Sequence, residues 1–175
     1  MASKLRVDSI LPVDGAPTGG GGGIIQVVHS STGTLMQQTT IDTDYDTNLS
    51  ATITPKFNTS KILIMVSQMC SIRSTVAGTY AMQLSLVRTP SGGSPVIIID
   101  GDNGENSSGN FTGRANTPTS YNSMTAMQPL HILDEPATTT ALTYKTTALL
   151  TTANSTMKLQ EDGVKSYMTL MEVSA

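Results

Sequence analysis

The sequence predicts an all-β protein, an antiparallel β-sandwich of jelly-roll type, and three observations carry this prediction. The 175 residues include 27 Thr and 19 Ser but only 13% charged residues, which is about half the charged share of an average soluble domain. Apolar or alternating runs of strand length follow one another, and clusters of Gly, Asn, Asp and Pro separate them. No convincing amphipathic helix interrupts the series.

Each predicted strand is an apolar or alternating run that ends at a turn signal. Alternation is clearest where Tyr80, Met82, Leu84 and Leu86 are separated by other residues, which is typical of a strand with one buried face. The run 62–66 is continuously apolar, which is typical of a strand covered on both faces. The predicted strands are 24–29, 49–54, 61–72, 79–88, 95–100, 124–133, 141–150, 155–160 and 166–173.

The chain divides near Gly23 into an extended N-terminal arm with a glycine-rich hinge (1–23) and a head domain (24–175). The arm has a short apolar stretch, too small to form a core alone, that contains Leu5, Val7, Ile10 and Leu11. The five glycines at 19–23 have wide backbone freedom and indicate a flexible joint. No Lys and Ser/Thr follow them, so they do not form a phosphate-binding loop.

Composition and motifs argue against several functional classes. Ten Lys and Arg against 13 Asp and Glu do not form the basic footprint that nucleic acid requires. His29 and His131 lie about a hundred residues apart, and no zinc-binding spacing occurs. Ser155 and Lys158 match the Ser-x-x-Lys pattern of acylating enzymes without its companion motifs. We therefore expect no enzyme and no cofactor, and Cys70, in an apolar run, is expected to be a buried small hydrophobe.

The N-terminus lacks the apolar segment of a signal peptide, and no window approaches a membrane span. We therefore expect no membrane insertion. Two acidic clusters leave two interpretations open, a divalent-ion site or solvated acidic turns. The first contains Asp42, Asp44 and Asp46, and the second contains Asp100, Asp102 and Glu105.

Three stretches carry a resemblance to a known group of proteins. The opening Ser-Lys-Leu-Arg-Val-Asp-Ser-Ile (3–10) is followed by a Gly/Pro/Thr-rich stretch. Ile-Thr-Pro (53–55) leads to Ser-Lys-Ile-Leu-Ile (60–64), and Tyr-Met-Thr-Leu-Met-Glu-Val (167–173) closes the chain. Together they resemble small structural proteins of tailed bacteriophages, especially those of marine and cyanobacterial phages.

The resemblance implies a short fibre, knob or decoration whose head is a trimeric jelly roll like that of tumour necrosis factor. It implies a virion protein, assembled in the host cytoplasm, with the homotrimer and phage capsid or tail proteins as partners. The apolar residues of the arm (Leu5, Val7, Ile10, Leu11) would attach it to the particle. Subunit contact would explain the second covered face of the run that contains Ile62, Ile64 and Val66.

The alternative is a receptor-binding head that recognises a host-surface glycan or protein. The segment 100–120 is polar, rich in Gly, Asn and Ser, and longer than most loops. The contact residues would be those in or beside this loop, namely Asp102, Asn103, Asn106, Asn110, Phe111 and Tyr121. The low aromatic content, 4% of the chain, argues mildly against sugar binding.

Overall fold

The computed structural model describes residues 23–101, 110–115 and 122–174. The arm residues Leu5, Val7, Ile10 and Leu11 lie outside them. The strands, in chain order, are β1 (Ile24–Thr32), β2 (Met36–Gln38), β3 (Asp44–Ile53), β4 (Lys61–Ser74), β5 (Gly78–Pro90), β6 (Val96–Ile99), β7 (Asn110–Ala115), β8 (Asn122–Asp134), β9 (Leu142–Leu150), β10 (Ser155–Leu159) and β11 (Ser166–Val173). The one helical element of the described residues is a 3₁₀ turn, Glu161–Gly163, so no helix described there has the length to cross a membrane.

The strands form two sheets that pack face to face. In the first sheet, β11 and β10 lie along one edge of β4, β8 lies along its other edge, and β1 and β2 complete the outer edge beside β11 and β10. In the second sheet, β3 pairs with β9, β9 pairs with β5, and β7 and β6 share the far edge of β5.

This order is that of a jelly roll. Three pairs of strands each occupy a single position in their sheet, namely β1 with β2, β6 with β7 and β10 with β11. Each pair can therefore be counted as one strand. Eight positions then remain, and their orders are 1-8-3-6 in the first sheet and 2-7-4-5 in the second. Two Greek keys wound into a double-sheet sandwich have this order, so the predicted fold class is confirmed.

All nine predicted strands are present, and two further strands were not predicted. Strand β2 has only three residues. Strand β7 (Asn-Phe-Thr-Gly-Arg-Ala) runs through the segment predicted as one long loop, and Phe111 is its only large apolar residue. The loop prediction is therefore corrected: a strand at 110–115 pairs with β5 and divides the segment in two.

The core between the sheets is formed by alternate residues of the long strands. In β4, Ile62, Ile64 and Val66 are buried in this core, and Cys70 is buried further along the same strand. Burial raises the pKa of the Cys70 thiol to about 12, which confirms its expected character as a small hydrophobe. Several methionines, including Met82, Met157 and Met168, fill the same layer.

A buried polar network joins the two sheets across this core. Thr146 of β9 donates a hydrogen bond to Oε1 of Gln68 of β4 at 3.0 Å. Gln68 Nε2 donates to Oγ of Ser166 at 3.0 Å, and Oγ of Ser166 also accepts from the amide of Met69 at 2.9 Å. Because buried polar groups are costly unless they are bonded, this network favours one relative position of the sheets.

One end of the sandwich holds both termini of the head and the loop after β3. The amide of Ser174 donates to the carbonyl oxygen of Gly23 at 3.1 Å, so the beginning and the end of the head lie together at one end, called the base. The loop after β3 is held there by buried Glu172, which accepts hydrogen bonds from Nε2 of Gln26 and the amide of Lys56, both at 2.6 Å. Burial would raise the pKa of Glu172, but all the hydrogen bonds that its carboxylate accepts, those from Ser60 and Phe57 included, together outweigh burial and the pKa is lowered.

A second buried cluster at the base ties β5, β8 and β9 together. Nη1 of Arg88 lies 2.7 Å from both carboxylate oxygens of Asp134, and the hydroxyl of Tyr144 donates to Asp134 at 2.7 Å. Burial, and then the hydrogen bond to Asp134, raise the pKa of Tyr144. The cluster closes the base of the sandwich between the two sheets.

Candidate assembly interface

The outer face of the first sheet, the face turned away from the core, is the candidate site. Strand register places twelve outward side chains there in three rows across β1, β11, β4 and β8. From the base upward, the rows are Val27, Met171, Leu63 and Leu133; then His29, Thr169, Met65 and His131; then Ser31, Tyr167, Ser67 and Pro129. These twelve residues are called the assembly face below.

Apolar side chains dominate the assembly face, and the edge strands leave them open to solvent. Val27 is 54% exposed, Leu133 is 49% exposed and Tyr167 is 42% exposed. Leu63 and Met65 on the central strand are half-buried, since neighbouring strands flank them on both sides. Side chains alternate between the two faces of a strand, so these residues are outward because their neighbours Ile62, Ile64 and Val66 point into the core.

The assembly face contains no Lys, Arg, Asp or Glu. Charges begin at its borders. At the base, Nζ of Lys61 lies 2.6 Å from Oε1 of Glu135. Above the third row, Arg73 and Lys158 both bind the carboxylate of Glu161, and the pKa of Glu161 is lowered, chiefly by the hydrogen bond from Lys158.

The segment that contains Glu161 limits the assembly face at its upper border. The amide of Glu161 contacts Sδ of Met69 at 3.3 Å, and Met69, which points outward from β4, is buried. Gln160 and Asp162 have left-handed backbone conformations, with φ of 54° and 56°, which fold the segment back over the sheet. Met69 is therefore covered within the chain, whereas its partner Met127 on β8 is 41% exposed, and the apolar side chains at the edges of the lower half are exposed as well.

Both histidines of the chain lie in the middle row. Nδ1 of His29 is 3.1 Å from Oγ1 of Thr169, and its ring stacks on Tyr167 with 5.9 Å between centroids and 25° between planes. His131 is on β8, opposite Met65, at the other edge of the sheet. The middle row thus places one imidazole at each edge of the assembly face.

The assembly face has the size of the largest exposed patch on a typical monomeric protein. Four strands about 4.8 Å apart and three outward rows about 6.7 Å apart cover roughly 400 Å². The largest patches on monomeric proteins have this size and are often functional. A standard pairwise interface needs about 800 Å² from each partner, so a stable contact requires neighbouring surface as well, such as Ile24, which is 61% exposed beside the first row.

The outer face of the second sheet is different in character. Register places twelve outward residues across β3, β9 and β5: Thr52, Thr143 and Thr89; Ser50, Lys145 and Val87; Asp46, Thr147 and Ser85; Asp44, Leu149 and Gln83. Six carry hydroxyls, three are charged and two are aliphatic. Nζ of Lys145 lies 3.0 Å from Asp46, and the hydroxyls of Thr52 and Thr143 lie 2.9 Å apart. The β3 and β9 part of this face is polar, whereas at the β6 edge Val87 is buried and its partner Ile97 is 54% exposed.

The structure corrects two site predictions. Ile62, Ile64 and Val66 are buried in the core of their own chain, so any subunit contact on this strand falls on Leu63 and Met65. Phe111 is only 2% exposed and packs in the same core, so it does not present a surface to a receptor. Asp102, Asn103, Asn106 and Tyr121 lie outside the described residues, as does the side chain of Asn110.

The remaining candidate residues do not converge on one site. His29 and His131 lie on opposite edges of the first sheet. Asp44 and Asp46 are on the polar face of the second sheet. Across the parts of the chain that the structure describes, no three acidic, cysteine or histidine side chains are grouped as metal ligands. The assembly face itself was not predicted, because its residues come from four strands far apart in the sequence.

Comparisons with known proteins give distant structural likenesses. No family model and no curated protein matches the chain. A solved structure of infectious bursal disease virus, Gt strain, is similar at a TM-score of 0.37 and 13% identity, over all of this chain and 42% of that one. Particles derived from the same virus, with T=1 symmetry, are similar at a TM-score of 0.40 and 11% identity, over 41% of that chain. The chain thus spans less than half the length of these structures, and likenesses this distant carry no argument about function.

Proposed function

We propose that this protein is a non-enzymatic structural component of a virion, and that its heads associate with one another through the assembly face. The single observation that carries the proposal is the chemistry of that face: twelve residues in register, mostly apolar, without Lys, Arg, Asp or Glu. On the opposite outer face of the same sandwich, nine of the twelve outward residues of β3, β9 and β5 carry a hydroxyl or a charge. Exposed apolar patches of this kind mark protein contacts.

The finer proposal is a homotrimeric short fibre, knob or decoration of a tailed bacteriophage. The sequence resemblance at 3–10, 53–64 and 167–173 supports it. Three heads around an axis each provide one assembly face to the centre, so none of the apolar rows remains exposed. The arm, with Leu5, Val7, Ile10 and Leu11, would then attach the trimer to capsid or tail proteins.

The position of the base supports the same arrangement. Gly23 and Ser174 are hydrogen-bonded there, so the arm enters the head at the end where the first row of the assembly face begins. Attachment through the arm therefore places the base towards the particle. The opposite end, with the turns at 75–77 and 151–154, projects outward.

Light scattering on the full-length protein tests the association. We expect a mass three times that of the 18.4 kDa chain at micromolar concentration. A monomer would overturn the self-associating structural role, and a dimer would overturn the trimer. For the virion role, an antibody raised against the head should label purified particles of the virus that encodes the chain, and unlabelled particles would contradict it.

The receptor-binding head is the second candidate function, and the projecting end favours it. Thr75 and Asn154 are exposed at that end, and the hydroxyls of Thr75, Thr151 and Thr152 are hydrogen-bonded within the chain. An end formed by neutral polar groups suits a glycan or a polar protein surface. Fluorescently labelled full-length protein should then bind intact host cells with saturation. Binding that does not saturate would contradict a specific receptor.

A further inference from the structure

We propose that acid weakens the association of the heads, because both histidines of the chain lie on the surface through which they associate. This inference rests on the proposed self-association through the assembly face. Histidine is the side chain whose charge ordinarily changes between pH 5 and 8. The chain has two, and both are in the middle row of the assembly face.

The two histidines lie where the proposed association of the heads would bury their side chains. His29 on β1 and His131 on β8 are separated by Thr169 and Met65, across three strand spacings, or about 14 Å. The apolar rows of Val27, Met171, Leu63 and Leu133 below, and of Tyr167 and Pro129 above, enclose the middle row on this face. An association that buries these rows therefore removes both imidazoles from water.

The ionisable neighbours do not neutralise an imidazolium on this face. His29 stacks on Tyr167 and bonds Thr169, and Lys165, two residues before Tyr167 on the chain, is cationic. His131 lies between Pro129 and Leu133 on β8 and opposite Met65 on β4. The nearest acid along β8 that points outward is Glu135, which Lys61 already binds. Arg73, Lys158 and Glu161 form their own cluster above the third row.

Two effects then oppose association at low pH. A charged group costs free energy when it is buried without a counter-ion. Copies brought together on one face also place several like charges near one another. An uncharged ring on this face carries neither cost, and Nδ1 of His29 keeps its contact with Thr169.

Sedimentation velocity of the full-length protein at pH 7.5 and pH 5.5 tests the inference. We expect the association constant to fall about tenfold or more at pH 5.5, which corresponds to about 1.4 kcal/mol or more. The double variant His29→Gln/His131→Gln should associate equally at both pH values. The single variant His131→Gln should have an intermediate response. Circular dichroism at both pH values establishes that each protein remains folded.

A third variant provides the matched control. Thr143→His in the double-variant background places an imidazole on the polar face of the second sheet, on the central strand β9. It should associate equally at both pH values, because that face is not buried.

The outcomes separate the two proposals. A wild-type protein that associates equally at pH 7.5 and 5.5 overturns the histidine inference and leaves self-association intact. The inference also fails if the double variant dissociates in acid as the wild type does. A wild-type protein that is monomeric at both pH values overturns the proposed function itself.

Discussion

Where Val27, Met171, Leu63 and Leu133 form a row across the first sheet, the row nearest the base of the second sheet consists of Thr52, Thr143 and Thr89. Both rows are solvent-facing in the single chain, and both belong to antiparallel sheets of similar width. Antiparallel sheets commonly have one face on the core and a polar face towards water. The second sheet follows this pattern, whereas the lower half of the first sheet does not.

The two outer faces differ in where the few charged residues of the chain lie. Hydroxyl groups on the second outer face can form hydrogen bonds with water, and Lys145 and Asp46 add an ion pair there. The first outer face has its charges only at the borders, where Lys61 and Glu135 pair at the base. A uniform hydroxyl-rich surface would offer no basis for the proposed association, whereas two unlike faces fit an association through one side of the sandwich.

The largest expected effect comes from a charge in the first row. Leu63→Lys places an ammonium in the centre of the assembly face, and we expect association to fall by about a hundredfold or more. The matched variant Thr147→Lys, central on the second outer face, should leave association unchanged. Light scattering over a dilution series measures both variants. Equal effects from the two would contradict the distinction between the faces.

A loss in stability is expected when the buried polar network between the two sheets is disrupted. Gln68→Ala leaves a cavity and removes bonds to Thr146 and Ser166, so the free energy of unfolding should fall by about 2 kcal/mol or more. Gln37→Ala, at an exposed position on β2, should change it by less than about 0.5 kcal/mol. Urea unfolding measures both. Similar losses would show that the network does not stabilise the fold.

An acid-dependent loss is expected at the upper border of the assembly face. Because the pKa of Glu161 is lowered in the folded protein, its contribution is present above its unfolded pKa of about 4.3 and is lost as the pH falls through the lower folded value. The urea midpoint should therefore fall less between pH 7 and pH 3 in Glu161→Gln than in the wild type. Identical pH profiles would contradict a role for this carboxylate. The range lies below pH 5.5, so it does not overlap the histidine test.

The smallest effect is expected on the polar face. Asp46→Asn removes the ion pair with Lys145, whose side chains are 52% and 36% exposed. Exposed pairs contribute little, so the free energy of unfolding should change by less than about 0.5 kcal/mol, and association should not change. A measurable loss of association would place a contact surface on the second sheet as well.

The sequence predicted the strands well because most carry apolar runs of sufficient length. Strand β7 was not predicted because Phe111 is the one large apolar residue among Gly, Asn and Thr, and because its pairing with β5 is a long-range contact. Strand β2 was not predicted because its three residues are too few to show the alternation of a strand. In both cases tertiary pairing, rather than local pattern, makes the strand.

The assembly face could be predicted only in part. Continuous apolarity in 62–66 predicted a strand covered on both faces, but alternation alone does not state which set points inward. Packing against Leu130, Leu170 and the second sheet turns Ile62, Ile64 and Val66 to the core, and Leu63 and Met65 are left outside. Val27, Leu133 and Tyr167 join them only through strand register, which no local pattern shows.

The place of β11 has a consequence for how the protein is made. This strand, the last in the chain, is inserted between β1 and β4 and forms ladders with both. Until the ribosome has passed Val173, the first sheet lacks a central strand, and the assembly face lacks Tyr167, Thr169 and Met171. Contacts of such long sequence separation form late and slowly. The head therefore cannot complete its first sheet until β11 has been made, so a nascent chain that has not reached β11 lacks the full surface that would join it to its finished copies.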